Sequence, residues 1–225
     1  MFESKYSKVL TIILVIVIIG ILGLLGFLAY DYYHKYVTTS DAEDFVNSFD
    51  GDVAKNDEDK DKNNENQDNN VLDQLENMNG GTNQSASSQK TRPQYKGFGV
   101  LGTMTIPKIN LKYPILEKMT KSSIEVSVAF LWGVGINQPG NTVIVGHNYR
   151  NGAFFSNNKK LNLGDKIYIT DNDGKQVTYT IYNKFETSDT DTSFYQRDTA
   201  GKAEVTLSTC TDNGKQRLII LARAD

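Results

Sequence analysis

Cysteine and histidine are nearly absent from this sequence. Its 225 residues include one Cys and two His. A single Cys forms no intrachain disulfide and supplies too few thiolates for an iron–sulfur cluster or a thiolate zinc site. Two His exclude a catalytic metal centre with three His ligands. The rest of the composition, 39% hydrophobic and 23% charged, is ordinary for a soluble domain and indicates no class of protein.

Charged side chains are absent from residues 9–30, the first of three unlike segments. Ile, Leu and Val dominate these 22 residues, and a helix of that length spans about 33 Å at roughly 1.5 Å per residue. That span crosses a hydrocarbon core of about 30 Å. A cleaved signal peptide is the alternative, but its apolar region is about 7 to 15 residues long and ends in a small-x-small site. No convincing site follows Leu28, so we predict an uncleaved transmembrane helix over residues 9–30.

The charges that flank this helix predict its orientation. Lys5 and Lys8 lie in the N-terminal arm, residues 1–8, whereas acidic residues dominate the sequence after Tyr30. Positive charge tends to stay on the cytoplasmic side of a membrane. We therefore predict a single-pass protein of the cell membrane, with a cytoplasmic arm and an extracellular remainder.

The second segment, residues 31–92, is predicted to be an acidic and largely disordered extracellular linker. Between residues 41 and 92 there are 13 acidic and 5 basic side chains, together with many Asn, Gln and Ser. So little apolar surface does not offset the entropy that the chain loses on ordering. A partner-binding acidic tail is the alternative, and a solvated spacer is the interpretation we prefer.

The third segment, residues 93–225, has the length of a single domain. Strand-like runs recur between turn signals at 99–106, 111–116, 142–146, 166–170, 176–185, 203–209 and 217–223. Seven or eight short strands predict a mainly β fold, an antiparallel barrel or sandwich. Two short helices are predicted near 122–130 and 153–161. The 16 basic and 12 acidic side chains of this segment are dispersed, which argues against a nucleic-acid partner.

The only thiol, Cys210, directly follows the strand predicted at 203–209. His147 directly follows the strand predicted at 142–146. A strand end fixes the backbone and leaves the side chain at the barrel rim, as a catalytic pair requires. A Cys with a distant His is the pattern of thiol enzymes. The competing interpretation is a buried, inert Cys, the commoner fate of a lone thiol. A free extracellular thiol is unusual, however, because it invites oxidation.

Arg217 follows Cys210 by seven residues, across an Asn213-Gly214 turn that would fold the next strand back beside the first. A guanidinium next to the thiol could stabilise the oxyanion of an acyl-transfer intermediate. A surface charge at the start of a strand is the alternative. Arg223 would face the same side but would lie roughly 20 Å farther along the strand, so we prefer Arg217.

These residues resemble the sortase family, the membrane-anchored cysteine transpeptidases of Gram-positive bacteria. Residues 206–210 (TLSTC) fit its TLxTC signature, and residues 217–220 (RLII) fit the strand that bears the family arginine. The pair Gly146-His147 fits the strand end that carries the family histidine, and residues 106–110 (IPKIN) resemble an early strand motif. The resemblance covers residues 100–223, and the anchor with its linker also suits the family.

The resemblance implies a closed sortase-type β-barrel that binds a sorting signal of the LPxTG type. It implies that Cys210 attacks the carbonyl between Thr and Gly to form a thioacyl enzyme, and that Arg217 holds the oxyanion. His147 then acts as the general acid and later as the base. The acyl group passes to an amine of the peptidoglycan cross-bridge or of another acceptor, which anchors a surface protein to the cell wall.

Two class patterns compete within the resemblance. Residues 146–148, 151–152 and 154–155 resemble class B, but the insertion before the Cys strand is short, as in a small sortase of class A or D. Four acidic residues in that insertion could form a calcium site of the kind found in some class A members: Glu186, Asp189, Asp191 and Asp198. A solvated acidic loop is the interpretation we prefer, because partner carboxylates near 118–125 are sparse. We therefore predict no cofactor and no metal.

Three other functions remain open. A cysteine peptidase would release the acyl group to water, and a pilin-polymerising sortase would transfer it to a pilin lysine. The sequence shows neither the Asp-Pro-aromatic lid motif nor the second membrane segment that pilin polymerases often carry. A membrane-tethered adhesin or scaffold would need no reactive thiol.

Overall fold

The computed structural model describes residues 3–62 and 92–225. Within these residues the helices are a long one, α1 (Glu3–Lys62), one further α-helix, α2 (Lys121–Ile124), and two 3₁₀ helices (Pro107–Ile109 and Phe155–Lys160). The strands are β1 (Gln94–Tyr95), β2 (Phe98–Ile106), β3 (Leu111–Leu116), β4 (Val128–Gly133), β5 (Gly140–Val145), β6 (Lys166–Asp171), β7 (Gln176–Ser188), β8 (Ala203–Cys210) and β9 (Gln216–Ala224).

Eight of these strands close into a barrel, as predicted. The hydrogen-bonded order is β1-β2-β3-β4-β5-β8-β9-β7-β6, and an additional pairing of β2 with β6 joins the two sides. The prediction that the barrel is antiparallel is wrong at two pairs, β3–β4 and β5–β8, which are parallel, because chain crossovers and not hairpins connect them. Every other pairing between these strands is antiparallel. Each of the strands β2 to β9 therefore has a hydrogen-bonded neighbour on both sides, and β1 extends β2 by a two-residue ladder.

Strand β8 lies at the centre of the packing. Its residues 204–209 are all buried, so both of its faces are covered. Val205 and Leu207 belong to the barrel interior, and a second apolar cluster of Val143, Phe194, Ile219 and Leu221 is buried elsewhere. Burying a Val or Leu side chain stabilises the fold by about 1.5–3 kcal/mol. The strand that ends at Cys210 is therefore held rigidly.

The predicted helix over 122–130 is wrong for most of its length. The structure forms only one turn, Lys121–Ile124, capped by Thr120, and Val128 then begins β4. The apolar run 128–133 pairs with β3 on one side and with β5 on the other, and this pairing decides its conformation. The helix predicted near 153–161 is present as the 3₁₀ helix Phe155–Lys160.

The prediction of disorder is wrong for residues 31–62, which continue α1. Four side chains with helical spacing are buried on one face of this part of α1: Thr38, Ala42, Val46 and Phe49. The average composition of residues 41–92 concealed that stripe, which supplies the apolar face that a docked helix needs. Residues 63–91 lie outside the described residues, so the linker prediction stays a prediction there.

The contact between α1 and the barrel involves mainly β3, with a smaller contribution from β2. Phe45 packs edge-on against Tyr95, with the ring centroids 5.2 Å apart. Lys112 lies 3.0 Å from Glu43, and the Thr103 hydroxyl donates a hydrogen bond of 3.1 Å to Asp50. The earlier part of α1, residues 9–30, is exposed, and its length and composition would allow it to cross a membrane.

Candidate active site

The ends of two parallel strands bring Cys210 and His147 to the same part of the barrel rim. Strands β5 and β8 pair in register as far as Val145 and Ser208. Cys210 ends β8 two residues later, and His147 follows Val145 by the same interval. Both residues line one cavity. The structure therefore brings together the two residues that the sequence proposed as a pair.

Gly146, the residue before His147, packs closely against the barrel. A Cβ at Gly146 would lie 2.9 Å from Cγ1 of Val128 and 3.0 Å from a ring carbon of Phe155. Both distances are shorter than ordinary carbon contacts, so a larger residue would push the end of β5 away from the barrel. This close packing explains why a glycine precedes His147 in the sequence.

Arg217 lies beside the thiol. The β8–β9 hairpin pairs Cys210 directly with Arg217, and Nη1 of Arg217 donates a hydrogen bond to Sγ of Cys210. Arg223 pairs instead with Glu204, at the other end of β8, where its Nε lies 2.6 Å from the carboxylate. Of the two arginines considered from sequence, the structure brings only Arg217 to the thiol.

The cavity at Cys210 has a volume of about 320 Å³ and an amphipathic lining. The apolar side chains are those of Met119, Ile124, Leu131, Val145, Phe194 and Tyr195. The polar residues are His147, Asp189, Asp191, Thr192, Ser208, Thr209, Cys210 and Arg217. An extended peptide with apolar and polar positions would fit such a lining.

Buried polar groups hold the aromatic wall of the cavity in place. The side-chain amide of Asn141 donates hydrogen bonds to the carbonyl oxygens of Tyr195, at 2.8 Å, and Phe194, at 3.3 Å. Arg197 Nη1 donates to the same Phe194 oxygen at 2.8 Å. Thr206 of β8 in turn donates to Asn141 at 2.8 Å. The loop between β7 and β8 is thus fixed to the strand that carries Cys210.

Glu204 anchors this arrangement from inside the barrel wall. Its side chain is fully buried, and it lies 2.6 Å from Nη2 of Arg197 and 2.6 Å from Nε of Arg223. Burial would raise the pKa of Glu204, but hydrogen bonds from Arg223, Tyr182 and Arg197 outweigh that effect and hold the pKa below its usual value. Glu204 is therefore charged at neutral pH, with two guanidinium partners.

Sequence reasoning missed two residues at His147. Glu125 Oε1 lies 3.3 Å from His147 Nε2, and the hydroxyl of Tyr149 donates a hydrogen bond to Oε2 of the same carboxylate. Burial, the hydrogen bond to Glu125 and the charge of Glu125 all raise the pKa of Tyr149. Tyr149 follows His147 by two residues, a spacing visible in the sequence. Glu125 carries no comparable signal, because two whole strands, β4 and β5, separate it from His147 in the chain.

The acidic residues of the β7–β8 loop do not converge on one point. Asp191 accepts hydrogen bonds from the Thr187 hydroxyl, at 2.5 Å, and from the Ser193 amide, at 2.8 Å. Asp198 accepts from the amide of Ala200 at 2.8 Å. Among residues 3–62 and 92–225, no group of three or more His, Cys, Asp or Glu side chains is arranged to hold a metal ion. The expectation that no metal is needed stays a prediction.

Comparison with known proteins decides the family. A family model described as the sortase domain matches residues 104–225, more than half of the chain. The chain belongs to the sortase family. The matched range includes seven whole strands of the barrel and part of β2, and all three proposed site residues of this sortase: His147, Cys210 and Arg217.

Relatives of this sortase come from several classes. Sortase A of Bacillus anthracis is 31% identical over 124 residues, which cover 53% of this chain and 58% of the relative. The chain thus spans less than two thirds of that relative's length. Sortase A from Corynebacterium diphtheriae superposes with a TM-score of 0.52 at 26% identity, over 57% of this chain and 61% of that one. A Clostridium perfringens Sortase D5 transpeptidase has a TM-score of 0.52 at 30% identity, over 56% and 79% of the two chains.

Proposed function

We propose that this sortase is a cysteine transpeptidase that cleaves an LPxTG-type sorting signal between Thr and Gly. It would then join the Thr carboxyl group to an amine and so anchor a secreted protein to the cell wall. The observation that carries the proposal is the hydrogen bond from Arg217 to Sγ of Cys210, in a cavity that His147 also lines.

The first half-reaction forms the thioacyl enzyme. The Cys210 thiolate attacks the Thr carbonyl, so that a C–S bond forms and the carbonyl oxygen becomes an oxyanion. Arg217 donates hydrogen bonds to that oxyanion from its place beside the sulfur. The C–N bond then breaks, and the imidazolium of His147 transfers its proton to the departing glycine amine.

The second half-reaction reverses these roles. An acceptor amine gives a proton to neutral His147 and attacks the thioester carbonyl. A C–N bond forms, the C–S bond breaks, and Cys210 leaves as a thiolate. The amine belongs to the peptidoglycan cross-bridge or to another acceptor on the cell surface. No cofactor takes part in either half-reaction.

The long helix supports a membrane-bound site of action. We propose that residues 9–30 cross the cell membrane once, with the arm that contains Lys5 and Lys8 in the cytoplasm and the barrel outside. Residues 31–42 are twelve helical residues that end at Ala42, the first fully buried residue of the docked part of α1, and they span about 18 Å at 1.5 Å per residue. The helix would thus hold the barrel close to the outer membrane face, where secreted substrates emerge.

Peptide transfer in detergent micelles tests the proposal. The full chain is incubated with an LPxTG peptide, with and without oligoglycine, a diaminopimelate-type amine or a lysine peptide, and the products are identified by mass. We expect an amide product with one of these amines, a thioacyl adduct on Cys210, and neither in the Cys210→Ala variant. Hydrolysis alone with every amine would instead support a peptidase, and transfer to the lysine peptide alone would support a pilin polymerase. No cleavage, with an unchanged surface phenotype in the Cys210→Ala strain, would support an adhesin or scaffold.

A further inference from the structure

We propose that Glu125 and Tyr149 position the His147 imidazole for proton transfer, a role that rests on the transpeptidase function proposed above. Proton transfer by a general acid or base requires its nitrogen within hydrogen-bond reach of the reacting group. His147 follows the end of β5, so pairing within the barrel fixes its backbone but leaves the ring orientation to other contacts. Glu125 and Tyr149 supply those contacts.

Tyr149 supports one face of the imidazole. The two ring centroids are 4.8 Å apart, and the ring planes are inclined by 30°. The other neighbour of the Tyr149 ring is Phe154, in an edge contact at 5.8 Å. Phe154 is itself buried, and its ring centroid lies 5.2 Å from that of Tyr113. The backbone amide of Phe154 also donates a hydrogen bond of 3.2 Å to the Tyr113 hydroxyl. A chain of aromatic contacts therefore links the imidazole to the fixed barrel wall.

Glu125 uses its two carboxylate oxygens for two different partners. Oε2 accepts a hydrogen bond from the Tyr149 hydroxyl, and this bond sets the orientation of the carboxylate. Oε1 then faces His147 Nε2 at 3.3 Å, without the alignment of a completed hydrogen bond. Contacts of this kind in a free enzyme are often long and tighten when substrate binds. The carboxylate is thus in place to accept a hydrogen bond from Nε2–H when the ring turns slightly.

This arrangement assigns separate roles to the two ring nitrogens. Nε2 is buried against Glu125, whereas the His147 side chain as a whole keeps 28% of its surface exposed. The hydrogen bond made by one imidazole nitrogen selects the tautomer and leaves the other nitrogen for chemistry. With Nε2–H directed at Glu125, the nitrogen that exchanges a proton with the substrate is Nδ1.

Folding stability does not explain the cluster. The Glu125 side chain is 53% exposed, and exposed pairs of this kind contribute little to stability. Neither Glu125 nor Tyr149 lines the cavity at Cys210, so a direct role in binding the sorting signal is not indicated. Both residues contact His147, which does line the cavity.

Steady-state kinetics of the full chain in micelles give the first test. Glu125→Gln keeps the size of the side chain, and Tyr149→Phe keeps the ring contacts. Since general acid–base catalysis contributes about 10²–10⁴-fold, we expect each variant to lower kcat about 10-fold, with KM within about twofold of wild type. The double variant is expected to fall no lower than the worse single variant, because both changes break the same network. Tyr149→Ala also removes the ring, and kcat should then fall about 100-fold.

A matched control separates positioning from a general loss of charge. Glu117 forms an exposed pair with Arg92 at 3.0 Å, so Glu117→Gln removes a comparable carboxylate and should leave kcat unchanged. Alkylation of Cys210, the only thiol of the chain, should proceed at the wild-type rate in all of these variants. A uniform loss of thiol reactivity would show that the barrel itself had been disturbed and would refute a role confined to His147.

Imidazole ¹⁵N spectra give a second test that does not depend on turnover. The chain has only two His, so a His34→Gln variant assigns the signals of His147. At a pH where the ring is neutral, we expect the Nε2–H tautomer in the otherwise wild-type chain and a mixture of tautomers in Glu125→Gln and Tyr149→Phe. An identical tautomer ratio in all three proteins, or a kcat within twofold of wild type in both variants, would overturn the proposal. A wild-type chain that transfers no acyl group would refute the transpeptidase function alone, because the tautomer ratio is measured without substrate.

Discussion

The side-chain amide of Asn148 donates a hydrogen bond of 2.9 Å to the carbonyl oxygen of Cys210. This bond joins the residue after His147 to the strand end that carries the thiol. A second bond runs in the opposite direction, from the Thr209 hydroxyl to the carbonyl oxygen of Gly146 at 2.7 Å. The sequence neighbours of the two proposed catalytic residues therefore hold the ends of β5 and β8 together.

Loss of the Asn148 contact should affect catalysis more than folding. A hydrogen bond of this kind contributes about 0.5–1.5 kcal/mol to stability, so Asn148→Ala should lower the free energy of unfolding only slightly. We expect kcat for peptide transfer to fall about 10-fold, because a small displacement of a catalytic group has a large effect on rate. Asn162→Ala removes an exposed amide whose bond to Lys160 is longer, at 3.4 Å, and serves as the control. Equal rates in the two variants would contradict this interpretation.

The geometry of the Arg217 guanidinium should matter as well as its charge. Arg217→Lys keeps the positive charge but loses the planar donor group. Removing one donor to an oxyanion lowers kcat by about 10²–10³-fold, and we expect a loss of that size with an unchanged melting temperature. Arg223→Lys changes the arginine that pairs with Glu204 and should retain kcat. A variant with Lys at position 217 that turns over at the wild-type rate would rule out oxyanion binding by Arg217.

Glu204 should make the fold sensitive to acid. The pKa of Glu204 is held below its usual value of 4.5 in the folded protein, so the stabilisation is complete above that value and is lost as the pH falls through the folded pKa. At neutral pH, Glu204→Gln should lower the free energy of unfolding by about 3 kcal/mol, the lower end of the range for a broken buried pair, because Arg223 is 43% exposed.

Thermal unfolding between pH 3 and 7 measures this dependence. The difference in melting temperature between wild type and Glu204→Gln should be greatest at neutral pH and should shrink below about pH 4. Glu117→Gln, in an exposed pair, should cost less than about 1 kcal/mol and should leave the acid sensitivity unchanged. A constant difference across the whole range would argue against a charged Glu204 in the fold.

The docked part of α1 should stabilise the barrel. Ala42 is fully buried between the helix and the barrel, so Ala42→Asp places a carboxylate where it has no partner. We expect the full chain in micelles to lose about 3 kcal/mol of stability or to release the helix, which limited proteolysis after residue 30 would detect. Asn47→Asp adds the same charge on the exposed side, next to Lys112, and should have no such effect. Equal protease resistance in both variants would show that the helix is not docked in solution.

Local patterns predicted much of the barrel. The strand predicted over 111–116 matches β3, and the turn at Asn213-Gly214 places Arg217 opposite Cys210, as the hairpin geometry required. Both predictions depend on residues close together in the chain. Strand β4 was missed because its apolar run 128–133 suits a strand or a buried helix equally well. Its pairing with β3, through Ile115 and Val128, decided between the two.

The prediction of disorder failed over residues 31–62 for a related reason. The composition of residues 41–92 is acidic as a whole, whereas the stripe at Ala42, Val46 and Phe49 is apolar and local. A short apolar stripe orders a chain only if a complementary surface covers it. That surface, on β2 and β3, lies more than fifty residues farther along the chain.

The sequence by itself determined which chemistry is available to this protein. One thiol and very few histidines, each at a recognisable position, excluded metal-thiolate chemistry and directed attention to Cys210, His147 and Arg217. Only the tertiary structure decided what surrounds His147. Glu125 reaches the imidazole because β4 and β5 pair as antiparallel neighbours, which brings residues on opposite sides of two strands together. Such contacts depend on barrel closure, and no local pattern in the chain encodes them.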